Sequence, residues 1–174
     1  QPLDFLPDAL YASGCDERGD TTDALLAEAE KAAQQAEIAV VFAGLPDRCE
    51  SEGFDRDDMK LPEGHLRMIE AVARANPNTV VILLCGSVVE CPWADRVKAI
   101  LYMGLPGQAG GEAVADLLYG RVNPSGKLAE SWPMAYGDVP SSEIYGKTAD
   151  ALYQEGIYVG YRCYDKAGVP VRWP

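Results

Sequence analysis

Thr79-Val80-Val81-Ile82-Leu83-Leu84 is a run of six β-branched or apolar residues with no polar alternation after its first position. Such a run is too short for a helix, and it reads as a strand buried on both faces, the kind found inside parallel sheets. Asn76-Pro77-Asn78 stands just before it and stops whatever precedes it. What precedes it is helical: Leu66, Ile69, Val72 and Ala73 recur at helical spacing from an opening at Pro62-Glu63. Gly86-Ser87 breaks the chain on the far side.

The same pairing of helix and strand occurs upstream. Ile38-Ala39-Val40-Val41-Phe42-Ala43 is a second short apolar run. A helix capped by Thr22 or Asp23 and running to about Ala36 leads into it, with Leu25, Leu26, Ala29, Ala32 and Ala33 on one side. Residues 1–20, broken by Pro2, Pro7, Gly14 and Gly19, read as an irregular lead-in. Downstream, Cys91-Pro92-Trp93 opens a short helical turn and Val97 to Met103 reads as a third strand. A glycine-rich loop follows at 104–111, then a helix over Glu112–Leu118. Gly120 stops that helix, Asn123-Pro124-Ser125-Gly126 makes a turn, and Lys127–Trp132 reads as a fourth strand. Residues 153–165 fit a strand period at 157, 159, 161 and 163 and a helix period at 157, 161 and 164 equally well. The order of elements predicts an α/β fold whose mostly parallel sheet is covered on both faces.

With 174 residues, nearly half of them apolar, the chain is long enough for one domain with a real core. The net charge of −12 argues against nucleic acid and against an anionic membrane surface as partners. No apolar run approaches a membrane-spanning length, and no signal segment opens the chain. Five scattered cysteines do not suggest a disulfide framework and favour a cytoplasmic setting. With a single histidine, His65, inside an amphipathic helix, neither a zinc site nor a Ser-His-Asp triad is expected. The glycines at 104, 107 and 110 give G-x-x-G-x-x-G, not the dinucleotide spacing, so they read as a tight turn and no cofactor is expected.

Chemistry gathers in the loop after the first strand, Cys49-Glu50-Ser51-Glu52-Gly53-Phe54-Asp55-Arg56-Asp57-Asp58. Loops leaving the carboxyl ends of parallel strands are where open α/β sheets bind ligands. On charge pattern alone this one reads as a solvated loop closed by Arg56 ion pairs. Glu52 offers a second reading. Gly53 beside it permits close approach, and Glu50 two residues away would raise the pKa of either carboxyl, as a general acid requires.

Six stretches decide between these readings: Ser51-Glu52-Gly53-Phe54-Asp55-Arg56 with Leu61-Pro62; Asn76-Pro77-Asn78-Thr79-Val80-Val81; Pro92-Trp93-Ala94-Asp95; Pro106-Gly107-Gln108-Ala109-Gly110-Gly111; Asn123-Pro124-Ser125-Gly126-Lys127-Leu128; and Tyr153 to Arg162. In this order they resemble the second, C-terminal domain of glycoside hydrolase family 3, most like its bacterial β-glucosidases. Cys163 departs from the resemblance, since an aromatic residue usually stands there.

The resemblance implies a three-layer, flavodoxin-like α/β sandwich over residues 1–174, packed in the parent enzyme against a TIM-like barrel. It implies a retaining glycosidase acting on terminal β-linked glucosides or oligosaccharides, and it maps the general acid/base onto Glu52. The barrel would carry the aspartate nucleophile; a barrel alone takes ~250 residues, so it would lie outside this chain. The alternative is a non-catalytic scaffold or sugar-binding module. A domain parted from its barrel is also expected to expose an apolar face and to self-associate, with Trp132, Tyr136, Tyr145 and Tyr153 contributing.

Overall fold

A computed structural model describes residues 1–53 and 56–174. The chain forms two compact units. The first comprises Gln1–Arg56, Leu61–Ser87 and Trp93–Ser125; the second comprises Asp57–Lys60, Val88–Pro92 and Gly126–Pro174.

In the first unit, α1 (Asp23–Gln35), β1 (Ala39–Gly44), α2 (Glu63–Ala75), β2 (Thr79–Leu84), β3 (Ala99–Tyr102) and α3 (Gly110–Leu118) follow one another. The strands form a parallel sheet in the order β1-β2-β3. The α/β class read from the sequence is therefore the class the chain adopts. The central strand is the most apolar one: Val81, Ile82 and Leu83 are fully buried. α2 lies against both β1 and β2 and packs along α1, turning Met68, Ile69, Ala71 and Val72 inward.

Local chemistry sets the boundaries. The Thr22 hydroxyl caps α1 by accepting the Leu25 N–H at 3.3 Å. Asn76 ends α2 and does more than stop it. Its buried amide donates to the Ala33 and Ala36 carbonyls, both at 2.9 Å, and its carbonyl oxygen accepts the Asn78 N–H at 2.8 Å. The Thr79 hydroxyl, also buried, donates to the Asn76 main-chain carbonyl at 2.7 Å. The end of α1, the end of α2 and the start of β2 thus share one satisfied polar knot, as buried polar groups require.

β1 starts one residue later than predicted: its pairing with β2 begins at Ala39 opposite Thr79, and Ile38, 57 % exposed, stands outside it. β3 is shorter than the run 97–103, although the Lys98 and Met103 N–H groups still reach the Thr79 and Leu83 carbonyls at 2.8 and 2.9 Å. α3 begins at Gly110, where a Cβ would sit 2.6 Å from Pro106. The glycine loop is a packing turn at that point.

The second unit differs most from the sequence reading. The strand predicted over Lys127–Trp132 shrinks to β4 (Trp132–Pro133), which pairs antiparallel with β5 (Val171–Trp173) and takes no part in the parallel sheet. The run supplies too few apolar groups to bury, and Leu128 remains 38 % exposed. The ambiguous stretch resolves as turns followed by a helix, α4 (Tyr161–Ala167). Gly160 sets the break: at φ +68° it leaves the extended region and caps the helix. Trp132, expected on an exposed apolar face, is only 2 % exposed, whereas Tyr145 and Tyr153 do face solvent. Its indole N–H donates to the Val89 carbonyl at 2.5 Å, and its ring meets Trp173 edge-on with centroids 5.3 Å apart.

All five cysteines are free thiols; Cys15, Cys85 and Cys91 are buried and Cys49 and Cys163 partly exposed. Burial, with the Glu50 charge adding to it, pushes the Cys85 thiol up to about 12, and burial also raises Cys15. Because the thiolate is the reactive form, labelling at pH 8 should mark Cys49 and Cys163 in the native protein and the other three only after unfolding. Peptide mapping after a maleimide pulse checks this; early label on Cys85 would contradict it.

Candidate functional site

The loops that leave the carboxyl ends of β1 and β2 build the site. Beyond Gly44 the chain turns at Pro46, whose carbonyl accepts the N–H groups of Cys49 and Glu50 at 2.7 and 3.1 Å. The turn is moored to the lead-in by an exposed ion pair, Arg48 Nη2 to Asp20 Oδ1 at 3.0 Å, a contact of small energetic weight. The lead-in has its own brace: the Asp20 N–H, with that of Arg18, holds the Asp16 carboxyl below its ordinary range.

The two glutamates of the loop have different surroundings. Glu50 is partly buried and turns toward the end of β2. Its carboxylate accepts the Gly86 N–H at 2.8 Å and the Ser87 hydroxyl at 3.4 Å. Glu52 is exposed. Gly53 after it adopts φ +83° with open space where a side chain would be, a backbone state that favours glycine. Arg56 donates from Nη1 to the Ser87 hydroxyl at 2.7 Å. The local ion pair read for Asp55 and Arg56 lies partly outside the described residues, as does Phe54.

Ser87 is the residue that sequence reading missed. Gly86-Ser87 reads there only as a break after a strand. The signal available was its position: it leaves the carboxyl end of β2, next to the strand whose loop carries the acidic residues.

His65 sits at the base of the same edge. Its Nδ1 lies 3.0 Å from the Gly44 carbonyl oxygen. Burial lowers the imidazole pKa, with the Gly44 hydrogen bond working in the opposite direction. Phe42, Pro46, His65 and Leu84 are among the residues lining an open hollow of about 250 Å³ at the end of β1. His65 is fastened to backbone there, consistent with a structural role.

Of the two glutamates on the loop that leaves β1, the geometry ties Glu50 down and presents Glu52 to solvent. An exposed carboxyl on a tethered loop can give a proton to, or take one from, a group brought to it from outside. Residues 3–161 match the pattern of the Glycosyl hydrolase family 3 C-terminal domain. The chain belongs to that family. Its relatives include thermostable β-glucosidase B of Acetivibrio thermocellus, 50% identical over 167 residues, covering 95% of this chain and 22% of the relative. The exo-α-(1→6)-L-arabinopyranosidase of Bifidobacterium breve is 46% identical over 153 residues, covering 87% of this chain and 20% of that protein. Among solved structures, the family 3 β-glucosidase of Bifidobacterium adolescentis superposes with a TM-score of 0.88 at 41% identity, covering 99% of this chain and 26% of the other. Fungal β-glucosidases match as well, so the similarity does not single out a bacterial source. This chain of the family spans about a fifth of the length of those curated relatives.

Proposed function

We propose that this family 3 chain serves as the second domain of a longer retaining β-glucosidase and supplies its general acid/base, Glu52. The substrate class is a terminal β-linked glucoside or oligosaccharide. The nucleophile would come from a TIM-like barrel elsewhere in the parent chain. What carries the proposal is the match to family 3 β-glucosidases together with the placement of Glu52, exposed within Ser51-Glu52-Gly53 while its neighbour Glu50 is engaged with Gly86 and Ser87.

A retaining glycosidase needs two carboxyl groups ~5–5.5 Å apart. One attacks the anomeric carbon while the other protonates the departing oxygen, then takes a proton from the water that releases the sugar. Glu52 fits the second role: it is exposed, sits at a strand's carboxyl end, and is followed by a glycine that leaves room for a bulky ligand. The arabinopyranosidase relative favours a second reading in which the same domain serves an enzyme for that sugar. In either case one carboxylate cannot perform double displacement. The 174-residue chain alone should therefore not turn over an aryl β-glucoside that the parent enzyme hydrolyses. Sustained hydrolysis by the purified chain, free of other glycosidases, would overturn the proposal.

A further inference from the structure

The stretch that carries Glu52 is fastened on both sides to one residue of another loop. Two positions before Glu52, the Glu50 carboxylate reaches Gly86 and Ser87. Four positions after it, the Arg56 guanidinium reaches the same Ser87 hydroxyl. A serine hydroxyl has one proton to give and lone pairs to accept with. Here it accepts from Arg56 at 2.7 Å and donates toward Glu50 at 3.4 Å, joining a cation to an anion through a neutral group. Glu50, Arg56 and Ser87 are all partly buried, whereas Glu52 is exposed. Gly86 makes room for the arrangement: a Cβ there would lie 3.0 Å from Glu50 Oε1.

We infer that Ser87, acting through Glu50 and Arg56, is a positioning residue that fixes Glu52 for proton transfer. The inference rests on the acid/base reading of Glu52 given above. Its physical basis is geometric. An exposed carboxyl on an untethered loop samples many placements, and misplacement by about 1 Å can cost ~10²-fold in rate. Charge-assisted hydrogen bonds at both stems restrict that sampling without occupying Glu52 itself. Glu50, which sequence reading casts as a neighbour that tunes the pKa of Glu52, becomes a stem anchor.

The test uses the full parent enzyme with Ser87→Ala, Ser87→Thr, Glu52→Ala and the double variant Ser87→Ala/Glu52→Ala. Each is assayed on a methyl β-glucoside, whose leaving group needs a proton, and on a dinitrophenyl β-glucoside, whose leaving group does not. Ser87→Ala should lower kcat on the methyl glucoside by about 10-fold with KM little changed, whereas on the aryl glucoside kcat/KM, which reports the first step alone, should fall much less. Ser87→Thr, which keeps the hydroxyl, should restore the loss. In the Glu52→Ala background, Ser87→Ala should add almost nothing, because the group it positions is gone. Equal losses on both substrates, or a loss that persists in full without Glu52, would overturn the inference and mark Ser87 as merely structural. Should Ser87→Ala fail to fold, Glu50→Gln carries the same comparison. A Glu52→Ala variant with no dependence on leaving group would remove the acid/base reading and this inference with it. A dependence seen for Glu52→Ala but absent for Ser87→Ala and Glu50→Gln would remove this inference alone.

Discussion

Replacing Glu52 by alanine in the parent enzyme is expected to slow hydrolysis of alkyl β-glucosides by ~10²–10⁴-fold. Their departing alkoxide needs a proton as the bond breaks, and in the proposed role of Glu52 the variant has none to give. Activated aryl glucosides leave as stable phenolates, so their first step should suffer far less. The second step then limits them, because the base that activates water is missing too. Azide can enter the space vacated by the side chain and needs no base. It should restore turnover on activated substrates and yield a β-glucosyl azide with the anomeric configuration retained, since two inversions still occur. Product analysis by NMR and rates across a series of leaving groups check both parts. A uniform loss for all leaving groups, with no response to azide, would return Glu52 to the role of a loop carboxylate.

Legibility in the sequence differs from element to element. β1 and β2 are readable because short β-branched, apolar runs suit buried strands, and Val81, Ile82 and Leu83 of β2 are indeed without solvent contact. α1 and α2 were readable because their ends carry their own chemistry, Thr22 at one and Asn76 at another. Lys127–Trp132 was misread because a strand needs a partner as well as β-forming residues. Only Trp132 and Pro133 find one, in Val171–Trp173, nearly forty residues further on. Residues 153–165 carried two periodicities at once, and the backbone conformation at Gly160 decided between them.

The site was legible only in part. Charge pattern alone reads the loop after β1 as a solvated one; Gly53 and the like charge of Glu50 offer Glu52 a second reading, and the ordered motifs around it single it out. The tie from Glu50 to Gly86 spans 36 positions in the chain, and no local pattern announces it. It depends on β1 and β2 being parallel neighbours in register, Gly44 opposite Leu84. That register brings the two exit loops side by side, which is why a serine read as a strand break meets both stems of the acidic loop.

Trp132→Ala is expected to cost about 3–5 kcal/mol of stability, the usual range for deleting a fully buried indole. The side chain is 2 % exposed, lies edge-on to Trp173 and donates its N–H to the Val89 carbonyl. Packing and polar contributions can be separated by comparison with Trp93, which is 1 % exposed. Among the described residues its indole N–H has no hydrogen-bond partner. Both tryptophans lose similar ring area on replacement by phenylalanine. Only Trp132→Phe also takes the indole donor from the buried Val89 carbonyl and leaves it the weaker Cys91 thiol at 3.4 Å, a penalty toward the lower end of about 1–3 kcal/mol. Trp93→Phe instead removes an unsatisfied buried N–H, which offsets part of its packing loss. Urea unfolding of the two variants should therefore rank Trp132→Phe as clearly the more damaging, with Trp132→Ala worse again. Equal midpoints for the two phenylalanine variants would show that the Val89 hydrogen bond contributes nothing and that ring packing alone sets the cost.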